Sequence, residues 1–396
     1  MQQSSTNSRS ERPRRCAVRG HDLAALRRMN TNAVLRSLRT QAQTLGQLST
    51  STGLSRPTVE LLVEELVAQG LAEEAESVTG RSGRPARSFR FRGEAGHVVG
   101  VDIGLHKIVL LLSDLSGAVS AAEREDIDPR MSGPDRLAFL RARIDRFLVD
   151  HKVRQDDLWA LAVGVPGVVD DSGRILSVVV PEWTDLDLAR KLGSAFSCRI
   201  LAENDVNLAT LAEHWRGAAQ LADDVACVLA GRRSSCGVLI DGRLHRGRRG
   251  GAGELGLLPQ LGLARAQDVL IWEGERREGE SEVEALARAA GEGDPAALEV
   301  LDRYAARLAP GVAALVLALD PELVVLSGGL TPAGGSLTPL LVRHLRDITL
   351  HVPRIAVSTL GEQGVALGAV RKALDCVDEA LTQAPGALPP LPPPVR

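Results

Sequence analysis

One short stretch sets the architecture of the N-terminal part of the chain: residues 44–59 read TLGQLSTSTGLSRPTV. Thr44 followed by Gln47 has the capping-box pattern that opens a helix, and Gly53 is placed to end it. Ser55 then caps a second helix, whose first turn contains a proline at a position where proline costs little. Two short helices joined by a glycine turn predict a helix-turn-helix.

The second helix continues with one apolar face and is followed by a basic loop. The spacing i, i+3, i+4, i+7 and i+8, which is that of a single helical face, is occupied by Val59, Leu62, Val63, Leu66 and Val67. Gly70 ends this helix, and residues 80–87 (GRSGRPAR) are typical of the wing of a winged helix. Together with an earlier helix that begins near Asp22, the two short helices and the wing predict a winged helix-turn-helix DNA-binding domain at residues 21–92.

The side chains expected to contact DNA lie at the helix starts and on the wing. Because the N-terminal side chains of a recognition helix reach base edges, Arg56 is suited to a bidentate contact with guanine or to a phosphate. The narrow Gly-Arg-Pro turn would let Arg84 enter a minor groove. The set predicted to bind double-stranded DNA is Thr44, Ser55, Arg56, Thr58, Arg81, Arg84 and Arg87. Three acidic residues are expected on the exposed side of the helix, where they would repel phosphates and oppose DNA binding: Glu60, Glu64 and Glu65. Glu60 could instead accept a hydrogen bond from cytosine N4.

The charge distribution agrees with a DNA-binding module attached to a larger body. Residues 1–92 hold 15 Arg against 8 acidic residues, whereas the remainder holds 32 basic against 42 acidic residues. A basic module on an acidic body indicates a nucleic-acid partner for the first part alone. Two alternatives are an ordinary solvated arginine surface and a winged helix that only dimerises. A length of 396 residues with 44% hydrophobic content allows two or three domains and a sizeable core.

Cysteine and apolar patterns are typical of a cytoplasmic protein with no membrane partner. The five cysteines have no CxxC spacing, so they predict neither a disulfide framework nor a zinc cluster: Cys16, Cys198, Cys227, Cys236 and Cys376. No run of about 18 apolar residues and no signal-peptide core occurs. The Arg-rich residues 1–20 and the Pro-rich residues 383–396 are predicted to be disordered.

From Val98 onward, short apolar runs alternate with helical patterns, which predicts an α/β domain. Strands are predicted at 98–103, 108–113, 158–165, 199–202, 225–230, 237–240, 323–326 and 355–359. Helices are predicted around 137–148 and at 206–219, 281–290, 294–319, 336–347 and 364–381. No period of about 20–50 residues is present, so a repeat architecture is excluded.

Five motifs, found in a fixed order, carry a family resemblance. They are Asp102-Ile-Gly104 with Asp114 and Gly117; Gly164-Val-Pro166-Gly167; Glu203-Asn204-Asp205 with Asn207 and Glu213; Gly250-Gly-Ala-Gly253-Glu254-Leu-Gly256; and Asp320-Pro321 with Gly328-Gly329. Residues 98–371 resemble the ROK family, and the whole chain resembles its NagC/XylR-type transcriptional regulators. The resemblance implies an actin-like, ribonuclease-H-like domain at 97–382, with two α/β lobes at about 97–205 and 206–370 around a cleft, and a C-terminal helix.

The resemblance also implies a sugar site. Asn204 and Asp205 end a predicted strand and present an amide beside a carboxylate, which suits paired sugar hydroxyls. With Glu254, they are the residues predicted to contact a sugar or sugar phosphate. In ROK kinases, the aspartate that matches Asp205 is the general base that takes the proton of the sugar hydroxyl.

Three departures from the ROK kinases predict a body that is not an enzyme. The kinase stretch Asp-x-Gly-Gly-Thr-Lys becomes DIGLHK at 102–107, where Leu105 is expected to intrude on the phosphate site. The second phosphate loop, usually Gly-Thr-Gly-x-Gly, reads GRRSSCG at 231–237. Since phosphoryl transfer depends on positioning, loss of both loops should remove most of the rate. Leu257 replaces the family's zinc-binding histidine and no Cys lies between positions 236 and 376, so no zinc is predicted.

The sequence therefore favours a repressor of carbohydrate metabolism with no catalytic residue, metal or cofactor. A homodimer or higher homo-oligomer is expected on a palindromic operator, because protein two-fold symmetry matches operator symmetry. Two alternatives stay open. One is an ATP-dependent ROK sugar kinase with a DNA-binding module, which Asp205 supports. The other is a ligand-independent regulator whose body is a protein-docking surface.

Overall fold

The computed structural model describes residues 23–75, 87–176, 179–230, 235–278 and 280–383. The segments 1–20 and 384–396, which belong to the predicted disordered ends, lie outside these ranges.

Ten helices lie in the described part of the chain: α1 Leu23–Thr40, α2 Leu45–Thr52, α3 Arg56–Ala68, α4 Gly133–Asp150, α5 Leu188–Leu192, α6 Asp205–Arg216, α7 Glu282–Gly291, α8 Pro295–Leu319, α9 Gly334–Arg346 and α10 Gly364–Gln383. The first strands are β1 Gln43–Thr44, β2 Ala72–Ala75, β3 Ser88–Phe91, β4 His97–Ile103, β5 Lys107–Asp114, β6 Val119–Asp126, β7 Leu158–Val165 and β8 Val168–Val169. They are followed by β9 Arg174–Leu176, β10 Leu186–Asp187, β11 Arg199–Asn204, β12 Val225–Leu229, β13 Ser235–Ile240, β14 Arg243–Leu244, β15 Leu323–Ser327 and β16 Arg354–Val357.

The N-terminal unit is a winged helix-turn-helix, as predicted. Helices α1, α2 and α3 pack beside a three-stranded sheet of order β1-β3-β2. Thr44 and Gln47 form the expected capping box, with the Gln47 amide donating to Thr44 Oγ1 at 3.3 Å and the Thr44 amide donating to Gln47 Oε1 at 2.8 Å. Gly53 ends α2 with φ at +71°, a left-handed conformation that favours glycine. The turn between the two helices therefore depends on this glycine.

The larger body consists of two α/β lobes whose sheets share one topology. The first sheet has the order β11-β7-β4-β5-β6, and the second has the order β14-β13-β12-β15-β16. In the first sheet β4 pairs antiparallel with β5 and parallel with β7, and β7 pairs parallel with β11. In the second sheet β12 likewise pairs antiparallel with β13 and parallel with β15, and β15 pairs parallel with β16. This repeated order agrees with the actin-like architecture that the ROK resemblance implied.

The predicted strands and helices of the body are present, with ends that differ by a few residues. Six short or polar elements were missed: β6, β14, the three strands of the small sheet of order β10-β9-β8, and the short helix α5. Strand β6 reads VSAAERED, which lacks an apolar run, and it forms because its backbone pairs with β5. Arg143 of α4 then binds Glu123 and Glu125 of this strand at 2.9 and 2.7 Å. Pairing with a neighbour thus overrides local β-propensity here.

The C-terminal helix α10 returns to the first lobe and lies against both the first sheet and α6. It approaches α6 so closely that a Cβ atom at Gly368 would overlap the carbonyl oxygen of Leu208. Its far end packs against α1 of the winged helix, and one hydrophobic cluster contains residues of α1, α2, α3 and α10. Helix α10 therefore packs the winged helix-turn-helix unit against the body.

Candidate functional site

The recognition helix α3 has a buried row and an opposite exposed row. Ser55 caps it, with the Thr58 amide donating to Ser55 Oγ at 3.3 Å and the two hydroxyl oxygens 2.7 Å apart. The buried row is Val59, Leu62, Val63 and Leu66. Val67, which was expected on this apolar face, is 41% exposed. The hydroxyls of Ser55 and Thr58 are thus already engaged in starting the helix.

Arg56 stands at the start of α3 with its side chain exposed. Its guanidinium forms no hydrogen bond or ion pair with any other residue of the described ranges. Of the three acids expected on the exposed side, Glu60 and Glu64 are exposed. Glu65 is not free on that side, because it forms an ion pair with Arg27 of α1. Two carboxylates rather than three are therefore left to repel phosphates, those of Glu60 and Glu64.

The described part of the wing consists of β2 and β3, and Arg87 lies at its base. Arg87 Nε donates to Glu74 Oε2 at 2.9 Å, and its guanidinium lies 5.5 Å from the centre of the Phe89 ring. The hydrogen bond to Glu74 raises the pKa of Arg87, and the charges of the two exposed recognition-helix acids add to this effect. Arg81 and Arg84, the other wing residues predicted to bind DNA, lie outside the described residues.

The body presents its polar motif residues where three parallel strands of the first sheet end. Asp102 on β4, Gly164 on β7 and Glu203 on β11 lie level with one another across the sheet. The next residues on β11 are Asn204, which ends the strand, and Asp205, which begins α6. Ligands of α/β proteins bind at this edge of the sheet. The predicted sugar contacts Asn204 and Asp205 are therefore placed at a typical binding edge.

Three carboxyl groups at this edge have raised pKa values. Burial, together with the charge of Asp102, raises the pKa of Asp205 to about 7, and Glu254 adds to the shift. Burial raises the pKa of Asp102 to about 6, against the lowering effect of Lys107. Burial also raises the pKa of Glu254. The structure thus brings Asp205 and Glu254 within electrostatic range of each other, and their contact with a sugar stays a prediction.

Asn204 is more constrained than the sequence suggested. Its Nδ2 donates to the Gly167 carbonyl at 3.1 Å, and its Oδ1 accepts from the Asn207 amide at 3.1 Å. The side chain therefore holds the β7 loop against the start of α6. It keeps hydrogen-bonding capacity for a ligand hydroxyl, since an amide side chain has two N–H donors and two acceptor lone pairs.

Beside this edge lies a buried ionic cluster that the sequence reasoning missed. Glu203 Oε2 accepts from Lys372 Nζ of α10 at 2.7 Å and lies 3.1 Å from Arg246 Nε. Asn207 Nδ2 donates to Glu203 Oε1 at 3.1 Å. Burial alone would raise the pKa of Glu203, but Lys372 and Arg246 outweigh it and hold this pKa below its usual value. Glu203 stands next to the predicted Asn204 and Asp205, and this adjacency was the available signal.

An arginine binds the carbonyl oxygens of the turn that matches the first phosphate loop. Gly104 donates its amide to the Lys107 carbonyl at 3.0 Å. Arg136, buried on α4, donates from Nη1 to the carbonyls of Gly104 at 2.6 Å and Leu105 at 3.3 Å. The Leu105 side chain packs, partly buried, against the core of the first lobe. Arg136 thus fixes the carbonyl side of this turn. Lys107 is paired with Glu362 at 3.3 Å.

Metal and membrane features are absent from the described ranges. No group of three or more His, Cys, Asp or Glu residues there is arranged to hold a metal ion. Leu257, at the position of the family's histidine, is 64% exposed. Residues 231–234 of the second phosphate loop lie outside those ranges. None of the described helices combines the length and the apolarity that a membrane crossing needs.

Two family models match the chain. The model of the ROK family matches residues 98–261 and 262–375, and that of the IclR helix-turn-helix domain matches residues 30–76. The DNA-binding transcriptional dual regulator NagC of Escherichia coli K12 is 27% identical over 320 residues, which cover 74% of this chain and 79% of that protein. The xylose repressor of Bacillus subtilis 168 is 26% identical over 236 residues, covering 59% and 61%. The glucokinase of Halalkalibacterium halodurans is 27% identical over 307 residues, covering 68% and 92%.

Solved structures show the same fold. A ROK family transcriptional regulator, described as a homolog of the E. coli MLC protein, superposes with a TM-score of 0.71 at 22% identity, over 90% of this chain and 98% of that one. A ROK family glucokinase from Streptomyces griseus superposes with a TM-score of 0.58 at 24% identity, over 71% of this chain and 100% of that one. The regulator covers the larger share of this chain.

Proposed function

Because the chain belongs to the ROK family and carries a helix-turn-helix ahead of its ROK body, we propose that it is a DNA-binding repressor of carbohydrate metabolism. The observation that carries the proposal is the recognition helix α3, which is capped at Ser55 and leaves Arg56 exposed and unpaired within the described residues. An arginine there can form a bidentate contact with guanine. The repressors named among the relatives agree with this assignment.

The proposed DNA contacts come from both helices and the wing. They are Thr44, Ser55, Arg56, Thr58, Arg81, Arg84 and Arg87. Ser55 and Thr58 already bond to each other, so their contribution is to aim the helix start at the duplex. Arg87 would exchange its exposed ion pair with Glu74 for a phosphate. We expect a homodimer on a palindromic operator, because the two-fold axis of the protein then matches that of the DNA site. We expect it to act in the cytoplasm.

The binding test uses two arginines that differ only in position. Arg56→Ala should weaken binding to the operator by about 1–3 kcal/mol or relax its sequence preference, since one base contact is lost. Arg265→Ala, an exposed arginine of the body, is the matched control and should leave binding unchanged. Fluorescence anisotropy with a labelled operator measures both. Equal affinity of the Arg56 variant and the wild type would mean that α3 does not read the DNA.

For the body we propose a sensor of a sugar or sugar phosphate, contacted by Asn204, Asp205 and Glu254. In support, Asn204 and Asp205 lie at the end of β11, and the charge of Glu254, on the glycine-rich segment 250–256, contributes to the raised pKa of Asp205. A ligand that binds the folded protein raises its melting temperature by mass action. Thermal shift with a panel of sugars and sugar phosphates tests this. No stabilisation at high excess of any of them would favour a ligand-independent protein-docking body.

One observation favours a second function, a sugar kinase. The pKa of Asp205 at about 7 is that of a general base poised near neutral pH. Against it, the turn that would have to bind phosphate reads DIGLHK at 102–107, without the second glycine and the threonine of the ROK kinases. An ATP-consumption assay over a panel of hexoses decides between them. We expect no turnover, and turnover that disappears in Asp205→Ala would establish the kinase.

A further inference from the structure

The outward row of the recognition helix carries an aliphatic side chain that the fold does not use. Pro57, Leu61, Glu64 and Ala68 follow the spacing i, i+4, i+7 and i+11 and are all exposed. They lie opposite the buried row of the same helix. Leu61 is 50% exposed, whereas its neighbour Leu62 is 3% exposed. Leu61 therefore contributes little to the core of the winged helix.

The major groove offers one apolar group to such a side chain. Each base pair presents hydrogen-bond donors and acceptors there, but only thymine adds a methyl group, on C5. Leu61 lies about one and a half turns after Arg56, on the face that a recognition helix turns toward the groove. Its flanking residues Glu60 and Glu64 carry negative charge, which disfavours the purine acceptors N7 and O6 at the same place.

We propose that Leu61 is a specificity-determining residue that recognises the methyl group of a thymine in each half-site. The inference rests on the proposed DNA-binding function and deepens it, by assigning one base class to one side chain. Arg56 would supply the polar contact at the start of the helix, and Leu61 the apolar contact beyond it. A single exposed leucine on a protein surface is otherwise unremarkable, so the test must separate a methyl contact from mere exposure.

The experiment replaces thymine by deoxyuridine, which pairs identically but lacks the C5 methyl group. Each thymine of one operator half-site is exchanged in turn, and the affinity of the full-length protein is measured by anisotropy. Burial of one methyl-sized group corresponds to about a fourfold change in affinity. The wild type should lose about fourfold at one position of the half-site, and Leu61→Ala should bind the thymine and deoxyuridine forms of that position equally.

The matched control is Val67→Ala, which removes another exposed aliphatic side chain of α3 that lies outside the outward row. This variant should keep the deoxyuridine penalty of the wild type. Circular dichroism and thermal melting check that both variants fold, which is expected because alanine favours helices and neither side chain is buried.

The outcomes separate this inference from the function on which it rests. If the wild type binds the operator but tolerates deoxyuridine at every position, or if Leu61→Ala keeps the penalty, the methyl contact is wrong while the DNA-binding function stands. If the wild type binds no operator at all, both are wrong. An oligomeric state that changes in Leu61→Ala, with the penalty retained, would assign Leu61 to a protein contact instead.

Discussion

Asp205 is a carboxyl group whose acidity differs strongly between the folded and the unfolded chain. It begins α6, where its Oδ1 accepts from the Val206 amide at 2.8 Å. A helix N-terminus normally favours a carboxylate. Burial and the neighbouring Asp102 nevertheless raise the pKa of Asp205 to about 7. Burial, with repulsion from Asp102, thus outweighs the stabilisation that the helix start provides.

The pH dependence of stability should reveal this carboxyl group. Folded Asp205 keeps its proton up to about pH 7, whereas an unfolded aspartate loses it near about pH 4. The folded state therefore binds more protons in this window, so wild-type stability falls as the pH rises through it. The side chain of Asp205→Asn has no carboxyl proton to lose. As the pH rises through this window, the unfolding free energy of the variant relative to the wild type should therefore rise by on the order of 1 kcal/mol for each unit by which folding raises the pKa of Asp205.

Thermal melting of both proteins between pH 4 and pH 8 measures this difference. The advantage of Asp205→Asn should grow up to about pH 7 and then stay constant. The same difference in melting temperature at pH 5 and pH 8 would contradict the burial of this carboxyl group.

At the scale of elements, α10 depends on a glycine where it approaches α6. Gly368→Ala would place a methyl group on the Leu208 carbonyl, so we expect a loss of about 1–3 kcal/mol of unfolding free energy, as for other overpacked contacts. Gly335→Ala is the control, because that glycine lies in α9 with no atom near its added Cβ. It should be neutral or stabilise by up to about 1 kcal/mol.

Urea denaturation at one pH ranks the two glycine variants against the wild type. A Gly368→Ala protein as stable as Gly335→Ala would show that α10 does not approach α6 this closely.

Helices and strands whose apolar residues follow the pattern of that element could be predicted from the sequence. The capped helices α2 and α3 and the apolar strand β7 are of this kind. Strand β6 could not, because Glu123 and Glu125 give it the composition of a loop and only the edge of β5 selects the extended form. The element ends also shifted, since they depend on tertiary contacts.

The candidate site could be predicted only where its residues lie in short sequence motifs. Asp205 and Glu254 stand in short motifs, so local sequence located them. Arg136 lies 32 residues beyond Gly104 on an amphipathic helix, where an arginine gives no local signal of its contact. Lys372 lies 169 residues from Glu203. Contacts across such separations are set by the fold, and a single sequence does not show them.

At the scale of the whole molecule, the DNA-reading module and the body share one hydrophobic cluster across α1 and α10. The contact is completed by Arg39, whose Nη1 and Nη2 donate to the two carboxylate oxygens of Asp378 at 2.6 and 2.5 Å. The Arg39 guanidinium also lies 4.7 Å from the centre of the Phe91 ring. The same helix α10 carries Lys372, which binds Glu203 beside the candidate ligand site. One helix thus contacts both α1 of the winged helix and Glu203 beside the candidate ligand site.

Breaking this ion pair should loosen the module from the body. Asp378→Asn removes a half-buried, bidentate charge pair, and we expect a loss of about 1–3 kcal/mol together with faster amide hydrogen exchange in α1. Glu299→Gln removes an exposed i,i+4 pair with Arg303 and should cost less than about 0.5 kcal/mol. Hydrogen exchange of α1 that is the same in both variants would mean that α10 does not hold the module.

The central claim is that the capped helix bearing Arg56 recognises a specific duplex sequence. Its most direct test is selection of sheared genomic DNA by the purified full-length chain at about 150 mM salt, where non-specific phosphate binding is weak. We expect enrichment of a two-fold symmetric sequence with half-sites about one helical turn or a multiple of it apart, lost in Arg56→Ala. Recovery of genomic fragments without any shared sequence, by a protein that consumes ATP in the presence of a hexose, would contradict it.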